Sequence, residues 1–160
     1  MRSLRPHTDR RPGIADPEPA GFLIQIDGSS IHNPGPAGIG VRILNADGTV
    51  LKEISRSIGI RTNNQAEYEG LLCALHECRE LGNQRVVIRT DSELVYFQMA
   101  GRYKVKNLEL KALQSEARNL ISQMPNVVIQ LVRREQNTET DKLAKAASQA
   151  YYNRPGHAKA

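Results

Sequence analysis

One charge in an apolar stripe limits how this chain can fold. The segment Thr62-Asn63-Asn64-Gln65-Ala66-Glu67-Tyr68-Glu69-Gly70-Leu71-Leu72-Cys73-Ala74-Leu75 reads as the start of an amphipathic helix. At about 100° per residue, Leu71, Ala74, Leu75, Cys78 and Leu81 all fall within about 80° of Glu67. Glu69 and Glu80 fall on the far side, where solvated carboxylates belong. Glu67 therefore projects along the face that packs on the core. An isolated buried carboxylate costs several kcal/mol unless it is paired or binds a metal. The fold must bring a counter-charge or an ion to it.

The rest of the chain suggests where that partner comes from. Phe22-Leu23-Ile24-Gln25-Ile26-Asp27 alternates as a first strand, followed by Gly28 and the loop from Ser29 to Gly38. Ile39, Val41 and Ile43 alternate again, so that loop leads to a strand and not to the helix a phosphate cradle needs. Asn45-Ala46-Asp47-Gly48 is a hairpin turn, and a third strand follows from about residue 49 to 57. The Glu67 helix stops at Gly82. A fourth strand spans 85–91, and Thr90 with Glu93 forms the capping pattern of a short helix. A basic connection, a helix over 108–123, a strand over 127–132 and an Ala-rich helix to about Tyr151 complete the pattern. The order βββαβααβα predicts an α/β fold with a mixed five-stranded sheet flanked by helices.

Composition excludes several classes. At 39% hydrophobic and 24% charged, the 160 residues suit one domain with a real core. No apolar run approaches the roughly 20 residues of a membrane span. Residues 1–21 combine Arg2, Arg5, Arg10 and Arg11 with Pro6, Pro12, Pro17 and Pro19 and lack an apolar stretch. They read as a disordered basic arm and not a secretory leader, so the expected compartment is cytoplasmic. The domain is expected over 22–151, with a flexible tail over 152–160. Cys73 and Cys78 read as small core residues. A net charge of +5 favours a polyanionic partner, while the absence of Trp argues against recognition by base stacking.

Three further carboxylates stand at informative places. Asp27 and Asp91 each end a hydrophobic strand, where open α/β sheets build their sites. Asp141 lies in the first turn of the last helix. Each has a plainer reading: an Asp-Gly turn, a helix N-terminus, or a cap with Thr138. If the four converge, a hard divalent cation such as Mg²⁺ or Mn²⁺ is the natural counter-charge, because all-oxygen ligands do not suit zinc. Lys142 is the cation nearest Asp141 in sequence, yet it lies about 100° around the helix. No Cys/His cluster has zinc spacing, and His7, His32, His76 and His157 are scattered.

Asp27-Gly28-Ser29, Thr62-Asn63-Asn64-Gln65-Ala66-Glu67, Thr90-Asp91-Ser92 and Asn137-x-x-x-Asp141-x-Leu143-Ala144 resemble, in order, the four catalytic blocks of type 1 ribonuclease H. The resemblance runs from about Phe22 to Ala150. It implies that Asp27, Glu67, Asp91 and Asp141 hold two Mg²⁺ ions, with Mn²⁺ as an alternative, and cut the RNA strand of an RNA/DNA hybrid. The products would carry 3′-hydroxyl and 5′-phosphate ends. It also implies 2′-hydroxyl contacts from Gly28, Ser30, Asn33, Asn63 and Asn64, and a DNA-phosphate contact from Thr62 and Asn107.

The chain departs from that pattern twice. Only Gly101-Arg102-Tyr103-Lys104-Val105-Lys106 stands where well-known bacterial members carry a basic insertion, so it resembles the subgroup without the basic protrusion. Hybrid affinity is then expected to be lower and steeply salt-dependent, unless the arm compensates. The loop before Asp141 has no His; Arg133 and Arg134 are candidates for phosphate contact or product release there. The expected molecule is a monomer without membrane partners. Three alternatives stay open: a catalytically silent hybrid-binding module, activity extending to double-stranded RNA, and a related polynucleotidyl transferase acting on DNA.

Overall fold

Strand β1 (Phe22–Ser30) is the centre of a five-stranded sheet in the computed structural model, which describes residues 21–155. The sheet order is β3-β2-β1-β4-β5, with β2 at Gly35–Leu44, β3 at Val50–Arg61, β4 at Val86–Thr90 and β5 at Val127–Leu131. The first three strands form the expected antiparallel meander, and β1, β4 and β5 run parallel. The helices are α1 (Asn63–Cys78), α2 (Glu93–Met99), α3 (Leu108–Ser122) and α4 (Thr138–Tyr152). No helix among the described residues is long and apolar enough to cross a membrane. The expected arm, apart from Gly21, and the tail beyond Pro155 lie outside the described residues.

Alternation along the strands gives the sheet two different faces. Ile24, Ile26, Ile39, Val41, Val86 and Ile88 are buried on one face, together with Leu71, Ala74, Leu75 and Cys78 of α1. Helix α3 packs on the other side of α1, so Leu72 and Cys73 are buried as well. The opposite face carries α4 on glycines. A Cβ on Gly40 would sit 2.4 Å from the Thr140 carbonyl oxygen, and one on Gly38 would sit 2.5 Å from the Ser148 nitrogen. Hydroxyls tie the same seam: Ser55 donates to the Leu143 carbonyl and Ser57 to the Ala147 carbonyl, each at 2.7 Å.

Three local expectations are corrected. Asp27 does not end its strand: β1 runs three residues further, because Ser30 still pairs with Ala37 of β2 and only Ile31–Pro34 remain as a tight loop. Ser92, not Thr90, caps α2, accepting from the Val95 N–H at 3.2 Å, while Thr90 Oγ1 accepts from the Ser92 N–H. Asn137, not Thr138, precedes α4, and its side chain makes no capping bond.

Candidate metal centre

The parallel ladder between β1 and β4 sets the first pair of carboxylates. It ends at Gln25 opposite Arg89. Two residues further in the same register stand Asp27 and Asp91. Past the last rung the strands part, since β1 continues with β2 while β4 turns into α2. The two side chains thus emerge at the carboxyl edge, as the sequence predicts.

Glu67 reaches this edge because α1 lies unusually close to β1. A Cβ on Gly28 would fall 2.4 Å from the Ala66 carbonyl carbon and 2.5 Å from the Glu67 nitrogen, so only glycine lets the backbones approach this way. The Gly28 N–H donates to Glu67 Oε1 at 3.1 Å. The start of α1 is fixed by a capping box: Thr62 Oγ1 accepts from Gln65 N–H at 3.1 Å, and the Gln65 side chain accepts from Thr62 N–H at 2.8 Å.

Carboxylate oxygens of Asp27, Glu67 and Asp91 lie within 4.8 Å of one another. Asp27 is 4% exposed. Among the described residues, no lysine or arginine forms an ion pair with any of the three. Burial and the neighbouring Asp141 and Asp91 push the Asp27 carboxyl up to about 8. Burial, then Asp27 and Asp91, push Glu67 well above the usual carboxylate range. Close acids in a poorly hydrated pocket resist ionising together, and a bound cation removes that penalty. The donor set is all oxygen and partly open to solvent, which fits a hard divalent ion and not zinc.

Asp141 is held differently. Its side chain is 31% exposed and accepts from Lys145 Nζ at 3.1 Å. Its carboxyl also neighbours that of Asp27. Burial raises its pKa, but Asp27, Lys145 and Arg134 outweigh this and lower it. Lys142, the cation nearest in sequence, pairs instead with Glu139 at 3.5 Å. Of the two candidate arginines, Arg134 is the one whose charge lowers the pKa of both Glu67 and Asp141.

The remaining predicted residues fall into two places. Ser30 Oγ donates to the Arg61 carbonyl at 2.7 Å, and Asn33 Oδ1 accepts from the Asn63 N–H at 2.8 Å. This joins the β1–β2 turn to the start of α1, with Asn63 and Asn64 exposed. Thr62 and Asn107 each cap a helix, and Gln65 Nε2 donating to Glu109 Oε1 at 3.1 Å links those two helix starts. In the sequence Asn137 stands only as part of a motif, yet in the structure its amide donates to Asp91 Oδ2 at 3.1 Å. Its spacing to Asp141 is the only sequence signal that could have marked it.

A family model described as reverse transcriptase-like matches residues 25–147. The bifunctional protein Rv2228c of Mycobacterium tuberculosis is 43% identical over 129 residues, which is 80% of this chain and 35% of that protein. A ribonuclease HI of Halobacterium salinarum is 36% identical over 121 residues, or 76% of this chain and 61% of that protein. The chain thus spans less than two thirds of either relative. The solved N-terminal RNase H domain of Rv2228c superposes with a TM-score of 0.74, covering 79% of this chain and 98% of that one. LC11-RNase H1, solved in complex with an RNA/DNA hybrid, superposes with a TM-score of 0.76 at 39% identity, covering 81% and 98%. A mixed sheet, an acidic carboxyl edge and these likenesses agree: the chain belongs to the reverse transcriptase-like family and carries a ribonuclease H-type domain.

Proposed function

We propose that this chain is a divalent-metal-dependent endoribonuclease that hydrolyses the RNA strand of RNA/DNA hybrids. The observation that carries the reading is the convergence of Asp27, Glu67 and Asp91 within 4.8 Å, with no lysine or arginine among the described residues in an ion pair with them. Asp27, Glu67, Asp91 and Asp141 are the residues that would hold the metal. Two Mg²⁺ ions, or Mn²⁺ in their place, would supply an activated water and charge stabilisation at the leaving 3′ oxygen. Breaking the P–O3′ bond leaves a 3′-hydroxyl and a 5′-phosphate.

Substrate choice rests on the corner beside Glu67. Ser30, Asn33, Asn63 and Asn64 offer short hydroxyls and amides that both donate and accept, as a 2′-hydroxyl requires. Gly28 presents backbone without a side chain in the way. Thr62 and Asn107, at two linked helix starts, are assigned to a phosphate of the DNA strand. Arg134, at the rim, is assigned to the cleaved phosphate, with Arg133 as a weaker candidate. Arginine cannot act as the base there, because it stays protonated. The assigned residues all lie on one chain, which suits action as a monomer.

End-labelled RNA/DNA hybrid, double-stranded RNA, single-stranded RNA and double-stranded DNA, each with Mg²⁺, Mn²⁺ or chelator, test the reading. Internal cuts in the RNA of the hybrid, abolished by chelator, are expected. An intact hybrid with either ion would overturn it, and hybrid binding without cutting would favour the silent module.

A further inference from the structure

Asn137 is 1% exposed, and nothing in the proposed chemistry uses it. Its Nδ2 donates to the Ile26 carbonyl at 2.8 Å and to Asp91 Oδ2 at 3.1 Å, which occupies both of its hydrogens. Its backbone carbonyl accepts from the Asp141 N–H at 3.0 Å. One residue therefore touches the peptide leading into Asp27, the carboxylate of Asp91 and the backbone of Asp141. Those groups belong to β1, the end of β4 and α4. Its Oδ1 is buried without a hydrogen-bond partner among the described residues. The amide thus leaves one polar atom unmet while it satisfies two acceptors, the Ile26 carbonyl and the Asp91 carboxylate.

We propose that Asn137 is a positioning residue for the metal centre. It fixes the rotation of the Asp91 carboxylate and fastens the start of α4 to β1. The Asp91 carboxylate is thereby held in place before an ion arrives. Groups that hold a ligand carboxylate in this way typically change metal affinity or activity by about 10- to 100-fold when removed. The proposal rests on the metal reading above, but it is read by ion binding and not by hydrolysis alone.

The test is Mn²⁺ titration of the substrate-free full chain, followed by electron paramagnetic resonance, for wild type, Asn137→Leu and Asn137→Ala. Hybrid cleavage is measured alongside as a function of Mg²⁺. Mn²⁺ affinity is expected to fall about 10- to 100-fold. The Mg²⁺ needed for half-maximal rate should rise in parallel, with KM for hybrid unchanged at saturating ion. Both variants take this donor from the Ile26 carbonyl, so melting somewhat below wild type is expected, and affinities are compared at a temperature where each variant is folded. Wild-type Mn²⁺ affinity in either folded variant would overturn the proposal. If neither folds, Asn137→Ser, which retains a shorter donor, decides in the same way: reduced affinity supports the proposal and wild-type affinity overturns it. A wild-type chain that binds Mn²⁺ but leaves hybrid intact would sink the nuclease reading while the affinity comparison still decides the role of Asn137.

Discussion

Helices α1 and α4 each deliver a carboxylate to the same edge, on opposite faces of the sheet and by opposite means. Helix α1 is wedged between the sheet and α3, with Leu71, Ala74 and Leu75 fully buried. Glu67 has little freedom there, and the Gly28 N–H holds one of its oxygens. Helix α4 lies on glycines and serines, and it presents Asp141 partly exposed and paired with Lys145. The difference separates a fixed trio of acids from an adjustable fourth. Packing sets the trio, whereas a surface ion pair with Lys145 sets Asp141.

The largest expected effect comes from breaking the trio. Asp27→Asn should lower hybrid cleavage by several kcal/mol of barrier, or about a thousandfold, with hybrid binding retained. Asp141→Asn should cost less, and raised Mn²⁺ should recover part of the loss. Equal, unrecoverable losses in single-turnover assays would erase the distinction between fixed and adjustable ligands.

The α4 seam is the next place to press. Gly40→Ala brings a Cβ against the Thr140 carbonyl and the Ala144 nitrogen, so the helix must shift. Overpacking of this kind costs about 1–3 kcal/mol, and each kcal/mol lowers Tm by about 2–4 °C in a chain of this size. An unchanged melting curve would show that α4 is not held as closely as the geometry says.

A smaller effect lies in pH. The Asp27 carboxyl is raised to about 8 in the folded protein from an ordinary 3.8. The folded state therefore keeps a proton that the unfolded state releases, so ion-free protein should lose stability progressively from about pH 4 to about pH 8. Saturating Mg²⁺ should offset that loss above neutral pH, and Asp27→Asn should flatten the slope measured in chelator. Thermal melts across pH, with and without Mg²⁺, check both. The smallest effect belongs to Lys145→Met. Exposed i,i+4 pairs contribute about 0.3–0.5 kcal/mol, so Tm should barely move.

Much of this arrangement is legible in the sequence, for identifiable reasons. Glu67 announces itself because helical periodicity places a charge among Leu71, Ala74 and Leu75. The pairing of Asp27 with Asp91 follows from two parallel strands in which each Asp stands two residues past the last shared rung, although β1 itself continues to Ser30. Other features depend on contacts far apart in the chain and leave weak local traces. Gly38 and Gly40 in an apolar strand hint at a close backbone approach, but not that α4 makes it. Sequence order points to Lys142 and the structure to Lys145, because nearness in sequence is not nearness on a helix, where i and i+4 meet. Ser92 displaced Thr90 as a cap because β4 holds Thr90 extended to the end of its ladder with β5. Asn137 looked like one letter of a motif, since its partners Ile26 and Asp91 are invisible without the fold.

Crystals soaked in Mn²⁺ and measured at the manganese absorption edge offer the most direct test. An anomalous peak bounded by Asp27, Glu67 and Asp91 is expected. Loaded crystals with no peak there, or with those carboxylates turned onto lysine or arginine, would contradict it.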